Sequence, residues 1–176
     1  MGYSNNEQEW KVINIILDAI RKPILLNSEI QKCFDRIRSY SYELYIHSAN
    51  VALLSGILGI YDYGVCQEMI ELSTAALLHD YGKIFISKCI LEKADALTED
   101  ERKTIELHSI AGYFYLKQET NLNERILNAI LDHHEKLDGS GYGLRKKGSS
   151  ISDFAKIIAI AMSMMLWFRK EYIENR

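Results

Sequence analysis

Apolar residues recur along the chain at helical spacing. Trp10, Ile13, Leu17 and Ile20 fall three to four apart, a stripe that predicts a first helix closed by Pro23. Ile30, Cys33, Phe34 and Ile37 start a second run, which breaks near Ser39 before a third helix reaching Leu58. A helix over 67–80 follows, then a connector to Leu97, then helices over 98–118 and 123–134. Ser4 with Glu7, Ser28 with Gln31, and Thr98 with Glu101 each fit a capping box, in which two side chains satisfy first-turn N–H groups. No strand pattern, internal repeat or linker interrupts this punctuation. The chain is expected to be all-α, a single compact bundle of about seven or eight helices over 1–176. Its N-terminal helices occupy 1–38 and its core 40–168.

Composition narrows the classes. Of 176 residues 48% are hydrophobic and 26% charged, the balance of a globular domain, which excludes disorder for most of the chain. The single proline, Pro23, favours helices. Lys and Arg number 21 against 24 Asp and Glu, so no basic excess advertises DNA or RNA, and neither is expected as a partner. Cys33, Cys66 and Cys89 are scattered and odd in number, which reads as reduced, buried thiols of a cytoplasmic protein. The opening MGYSNNEQEW has no secretory character. The most apolar stretch, 157–168, would span only about 18 Å as a helix against a ~30 Å hydrocarbon core, so no membrane is expected.

Chemistry concentrates around the histidines. A lone histidine on an apolar helix face is more often a hydrogen-bonded core residue than a ligand, so their company matters. His79 is followed by Asp80, Gly82 and Lys83; His133 by His134, Glu135 and Asp138; and Glu43 precedes His47 by one helical turn. Imidazoles with carboxylates suit Zn, Mn, Fe or Ni better than Mg²⁺, and a shared carboxylate lets two ions sit roughly 3.5–4 Å apart and clamp a phosphate. Lys83 would lie one turn beyond His79 if the helix continues, within reach of a phosphate oxygen, or else be a solvated charge. Between 138 and 150, four glycines mark a structured loop, and Arg145, Lys146 and Lys147 in it read as a solvated charge run.

LLHDYGK, HSIAG at His108 and HHEKLDGSGYG resemble the HD-GYP family of the HD metal-dependent phosphohydrolases, over about 43–160. Asp138, Gly139, Gly141, Tyr142, Lys147, Gly148 and Ile151 fall in register with its signature loop. The resemblance implies a helical domain that binds divalent transition metal, iron or manganese favoured, zinc or nickel admitted, and one to two ions are expected in this chain. It implies hydrolysis of cyclic di-GMP or a related phosphoester. Carried over by position, Glu43, His47, His79, Asp80, His108, His133 and His134 would be metal ligands. Asp80 would bridge and Lys83 would contact the phosphate. The loop with Asp138, Gly139, Gly141 and Tyr142 would border the site and meet signalling partners.

The sequence also departs from the family. Met162 stands where the last ligand aspartate belongs and Met165 at the second aspartate of that motif, and a thioether is a poor partner for a hard dication. His47, His79 and Asp80 would then form a depleted first site, and Asp80, His108, His133 and His134 a nearly intact second one. Gly143 replaces a proline, and Arg169 and Lys170 are out of register with the family's later basic stretch. A degenerate module that binds a nucleotide or a protein through the loop is therefore the alternative to an active phosphodiesterase. An HD-type hydrolase of nucleoside phosphates is a third reading.

Overall fold

Nine α-helical segments order the described residues, 6–174, in this computed structural model, and no strand occurs among them. They are α1 (Asn6–Leu26), α2 (Ser28–Tyr40), α3 (Tyr42–Tyr63), α4 (Gln67–Leu78), α5 (Lys88–Leu91), α6 (Glu99–Glu106), α7 (His108–Glu119), α8 (Glu124–Asp132) and α9 (Asp153–Glu174). Eight exceed a single turn. Short 3₁₀ turns occupy Tyr81–Phe85 and Gly148–Ser150. The all-α bundle is as the periodicity implies.

Helix α4 is the axis of the core. Met69, Leu72, Ala75, Ala76 and Leu78 are wholly buried along it, and it packs on α1, α3, α8 and α9. The α3 face against it is built of small residues, Val51, Ala52, Ser55, Gly56 and Gly59. By length and apolarity α3 alone among the described helices would suit a membrane crossing; in this fold it packs on α1, α2, α4 and α9.

Several expectations shift. Helix α1 passes Pro23 and ends at Leu26, because a proline within the last turn removes only one ladder bond. Three residues of its stripe, Trp10, Ile13 and Leu17, are exposed, whereas Ile16 and Ala19 are buried; the side chain of the fourth, Ile20, lies outside the described residues. Ile16 rests on Gly56 of α3, and that close approach sets which face turns inward. Asn27, not Ser28, caps α2, its Oδ1 accepting from the N–H groups of Glu29 and Ile30. The Thr98–Glu101 box is present; Ser4 lies outside the described residues. The predicted helix over 98–118 breaks at Leu107 into α6 and α7. The three cysteines are unpaired, but only Cys33 is buried, Cys89 being exposed.

Candidate metal centre

Five histidines and one aspartate converge from four helices. Helix α4 stops at Leu78, and His79 and Asp80 form the corner into the 3₁₀ turn. Asp80 is 1% exposed. Its Oδ2 lies 3.3 Å from His79 Nε2 and 3.6 Å from His47 Nε2, the latter on α3. Its Oδ1 lies 3.2 Å from His108 Nε2, at the start of α7, and 3.9 Å from His133 Nε2, just after α8. The two oxygens of one carboxylate thus face two imidazole groups. Donor atoms of His47, His79 and Asp80 lie within 4.8 Å of one another, as do those of Asp80, His108, His133 and His134.

Three of these rings share a device. Nδ1 of His79, His108 and His133 sits 2.7 Å from the carbonyl oxygen three residues earlier, at Ala76, Ile105 and Ile130. A carbonyl only accepts, so each Nδ1 carries the proton and each Nε2 presents a lone pair to the centre. His108 Nε2 and His133 Nε2 are 3.2 Å apart, an arrangement of facing lone pairs that calls for a cation between them. The Nε2 atoms of His79 and His134 and Oδ1 of Asp80 are buried without a hydrogen-bond partner. Unsatisfied buried acceptors of this kind are costly unless a ligand completes them. The donor set therefore fits divalent metal.

Electrostatics keep the ligands in their binding forms. Burial, then the neighbouring His108 ring, pushes His134 down to about 3. Burial and the facing imidazoles hold His133 well below its ordinary value. Burial alone would raise the Asp80 carboxyl, but His79 and Lys83 outweigh it and keep it well below the usual carboxylate range. Imidazole neutral and carboxylate charged are the states that ligate.

Other expected site residues are distributed unevenly. Lys83 does not continue a helix; it sits in the 3₁₀ turn with Nζ 2.7 Å from Asp80 Oδ2. Gly82 does allow a close approach, but to α7: a Cβ there would lie 1.9 Å from the His108 carbonyl oxygen. Glu43 is exposed and outside both ligand groups, on the rim of the hollow that His47 lines. Tyr142 stacks on His134, ring centroids 4.4 Å apart at 23°. Burial, then Asp80, raises its hydroxyl pKa and keeps it protonated. Asp138 is exposed and accepts from Ser140 N within its own loop. Gly139 lies against the Lys147 stem, and Gly141 against the 134–136 backbone. Gly143 has φ +117°, which a proline locked near −65° could not adopt, so the family's proline has no place in this loop conformation. Met162 is half-buried and lines the hollow beside His47 and Asp80.

Asp132 escaped the sequence reading, and Glu135, singled out there beside the paired histidines, has a structural part. Asp132, 1% exposed, binds Lys146, which is therefore not part of a solvated charge run. Glu135, also buried, accepts from Leu144 N at 2.6 Å. The only signal was a lone acid ending the buried run of α8.

Two hollows meet at His47, Asp80 and Lys83. One of about 840 Å³ extends toward Tyr42 and Lys88, the other, about 420 Å³, toward Lys136 and Met162. An open trough of mixed polar and apolar lining, with its charged groups at the waist, has room for an extended ligand across the histidine–aspartate cluster.

Comparison with known proteins agrees with this geometry. The model of the HD domain family matches residues 66–172. Cyclic di-GMP phosphodiesterase PdeB of Borreliella burgdorferi is 38% identical over 117 residues, covering 66% of this chain and 30% of that protein. The cyclic di-GMP phosphodiesterase response regulator RpfG of Xanthomonas campestris pv. campestris is 36% identical over 118 residues, covering 65% and 31%. The chain thus spans under a third of the length of these relatives. The solved structure of Bd1817, an HDG"Y"P protein from Bdellovibrio bacteriovorus, superposes with a TM-score of 0.58 at 17% identity, covering 87% of this chain and 57% of that one. At that identity the likeness concerns the fold. With its His-Asp corner, its paired histidines and the glycine loop that follows them, this chain belongs to the HD domain family, in the HD-GYP branch.

Proposed function

We propose that the chain is a metal-dependent phosphodiesterase domain acting on a cyclic dinucleotide or a closely related phosphoester. The observation that carries this is Asp80, whose two oxygens address two separate imidazole groups. Asp80, His108, His133 and His134 would hold one ion and His47, His79 and Asp80 a second, with Glu43 on its open side. The family resemblance favours iron or manganese, and imidazoles joined by a carboxylate also admit zinc or nickel. Divalent metal at this centre supplies Lewis-acid polarisation of a phosphoryl oxygen and lowers the pKa of water.

The chain's own groups do the rest. Lys83 Nζ, 2.7 Å from Asp80 Oδ2, stands at the waist, where its ammonium would bind a phosphate oxygen and offset the negative charge that develops on the phosphoryl oxygens. Tyr142, stacked on His134, fixes that ring's plane. The two hollows receive the parts of the substrate on either side of the reacting phosphate.

Metal content by mass spectrometry, with chromatography of cyclic di-GMP incubated with the metal-loaded protein, tests the reading. At least one bound ion and turnover abolished by His79→Ala are expected. Loss-free turnover in His79→Ala, or no turnover at full loading, overturns it.

A second reading, a non-catalytic module binding nucleotide or a signalling protein through the 138–148 loop, is favoured by Met162, which puts a thioether where the family has a carboxylate. Metal bound without hydrolysis would support it.

A further inference from the structure

The larger hollow holds a cation that the chemistry above does not use. Lys88, on α5, is exposed and lines the hollow together with Lys83, Asp80 and Tyr42. Its Nζ lies 5.2 Å from the centroid of the Tyr40 ring. That ring is itself pinned, its hydroxyl donating to the Ile86 carbonyl at 2.7 Å. The lysine stem is thereby laid along the wall, while its ammonium makes no ion pair among the described residues. Lys83, by contrast, is bound to Asp80 at the reacting end. Tyr42 beside them is 67% exposed, its ring stacked at 22° on Tyr45, an orientation that steadies an aromatic surface for a base.

We propose that Lys88 binds the second, non-reacting phosphate of a two-phosphate substrate, so that the larger hollow selects dinucleotides over simple diesters. The inference rests on the phosphodiesterase reading and adds a specificity-determining residue to it. Diester chemistry at the waist needs one phosphate; a cation further along the same hollow has use only if the ligand carries another anionic group. Glu92 lines the hollow too and is exposed. Its repulsion of an anion is partly screened at physiological salt, and it makes the charge balance at this end adjustable in both directions.

The test compares cyclic di-GMP with bis(p-nitrophenyl) phosphate, which has a single phosphate, on the metal-loaded protein. Lys88→Met should weaken calorimetric binding of cyclic di-GMP about fivefold, the scale of an exposed ion pair, and raise KM for the simple diester distinctly less. Lys88→Arg should restore binding, Glu92→Gln should tighten it, and the Lys88→Met effect should shrink at 1 M salt. A merely structural role for Lys88 would not produce opposite signs at two neighbouring charges. Equal effects on both ligands, no effect on either, or no binding of cyclic di-GMP by the unaltered protein overturns the subsite. Failure of the phosphodiesterase reading shows separately, as absent metal-dependent turnover of bis(p-nitrophenyl) phosphate while the binding shift persists.

Discussion

Lys146 Nζ lies 2.7 Å from Oδ1 and 2.9 Å from Oδ2 of Asp132, the residue immediately before His133. The same carboxylate accepts from the Ser152 N–H at 3.1 Å. One buried acid thus ties the end of α8 to the middle and the end of the glycine loop. Ahead of those ties, between Asp132 and Lys146, the loop carries Tyr142 onto His134. The pair thereby acts on the His134 ring through the loop.

Removing one partner of such a pair strands the other in a low-dielectric setting. Lys146→Met leaves Asp132 with Ser152 alone, and a cost of about 3 kcal/mol is expected. Urea unfolding of the metal-free variant measures it. A variant as stable as the parent would show that water replaces the ammonium and that the tie is weak.

Gly82 and His108 make a second, wholly steric relationship. A Cβ on residue 82 would meet the His108 carbonyl oxygen at 1.9 Å and the Gly112 nitrogen at 2.7 Å. Both obstacles are backbone, so α7 must move away and take His108 with it. Gly82→Ala should lose about 3 kcal/mol of stability and weaken metal affinity, measured by chemical denaturation and manganese titration. Unchanged metal affinity would mean that His108 stays in place despite the displacement.

How legible these features were follows from how local they are. The cap at Thr98, the break expected near Ser39 and found at Ser41, and the helix periods of α2 and α8 are set by neighbours within one turn, which made them legible. The two imidazole groups emerged as a set only because the resemblance supplied it; spacing alone joins His133 with His134 and pairs His47 only with Glu43. The inward face of α1 was illegible because apolar residues cover much of that helix. Its partner, Gly56, lies on another helix and chooses Ile16 over Leu17. Asp132 and Lys146 were missed for a related reason: a charge run and a helix-ending acid each read as solvated until the fold brings them together.

Protonation offers a prediction for the metal-free protein. The folded His134 titrates at about 3 and His133 well below its ordinary value, whereas in the unfolded chain both titrate near 6.5. Below pH 6.5 the unfolded state therefore binds protons that the folded state does not, and stability falls with pH. Asp80, depressed in the folded state, adds a loss in the same direction once pH drops below about 4. Stability should be level above pH 7 and decline steadily from 6.5 toward 3. Urea midpoints across that range measure it, and a flat profile would mean that the cluster opens to solvent.

Substitution at Met162 tests how many ions the centre can hold. It lines the hollow with His47 and Asp80, so an aspartate there would offer the His47–His79 group a carboxylate that it does not share with the other site. Met162→Asp should strengthen the weaker of two manganese-binding steps by about 10- to 100-fold, the usual scale of one ligating or supporting group. The side chain also packs on the core beside Ala161, and its loss will cost stability, about 2 kcal/mol. Met162→Asn carries the same packing loss without the charge. A gain in Met162→Asp that Met162→Asn lacks assigns the effect to the carboxylate. Identical titrations for both variants would mean that residue 162 does not limit the site, and that Asp80 with its five histidines already meets the full coordination demand.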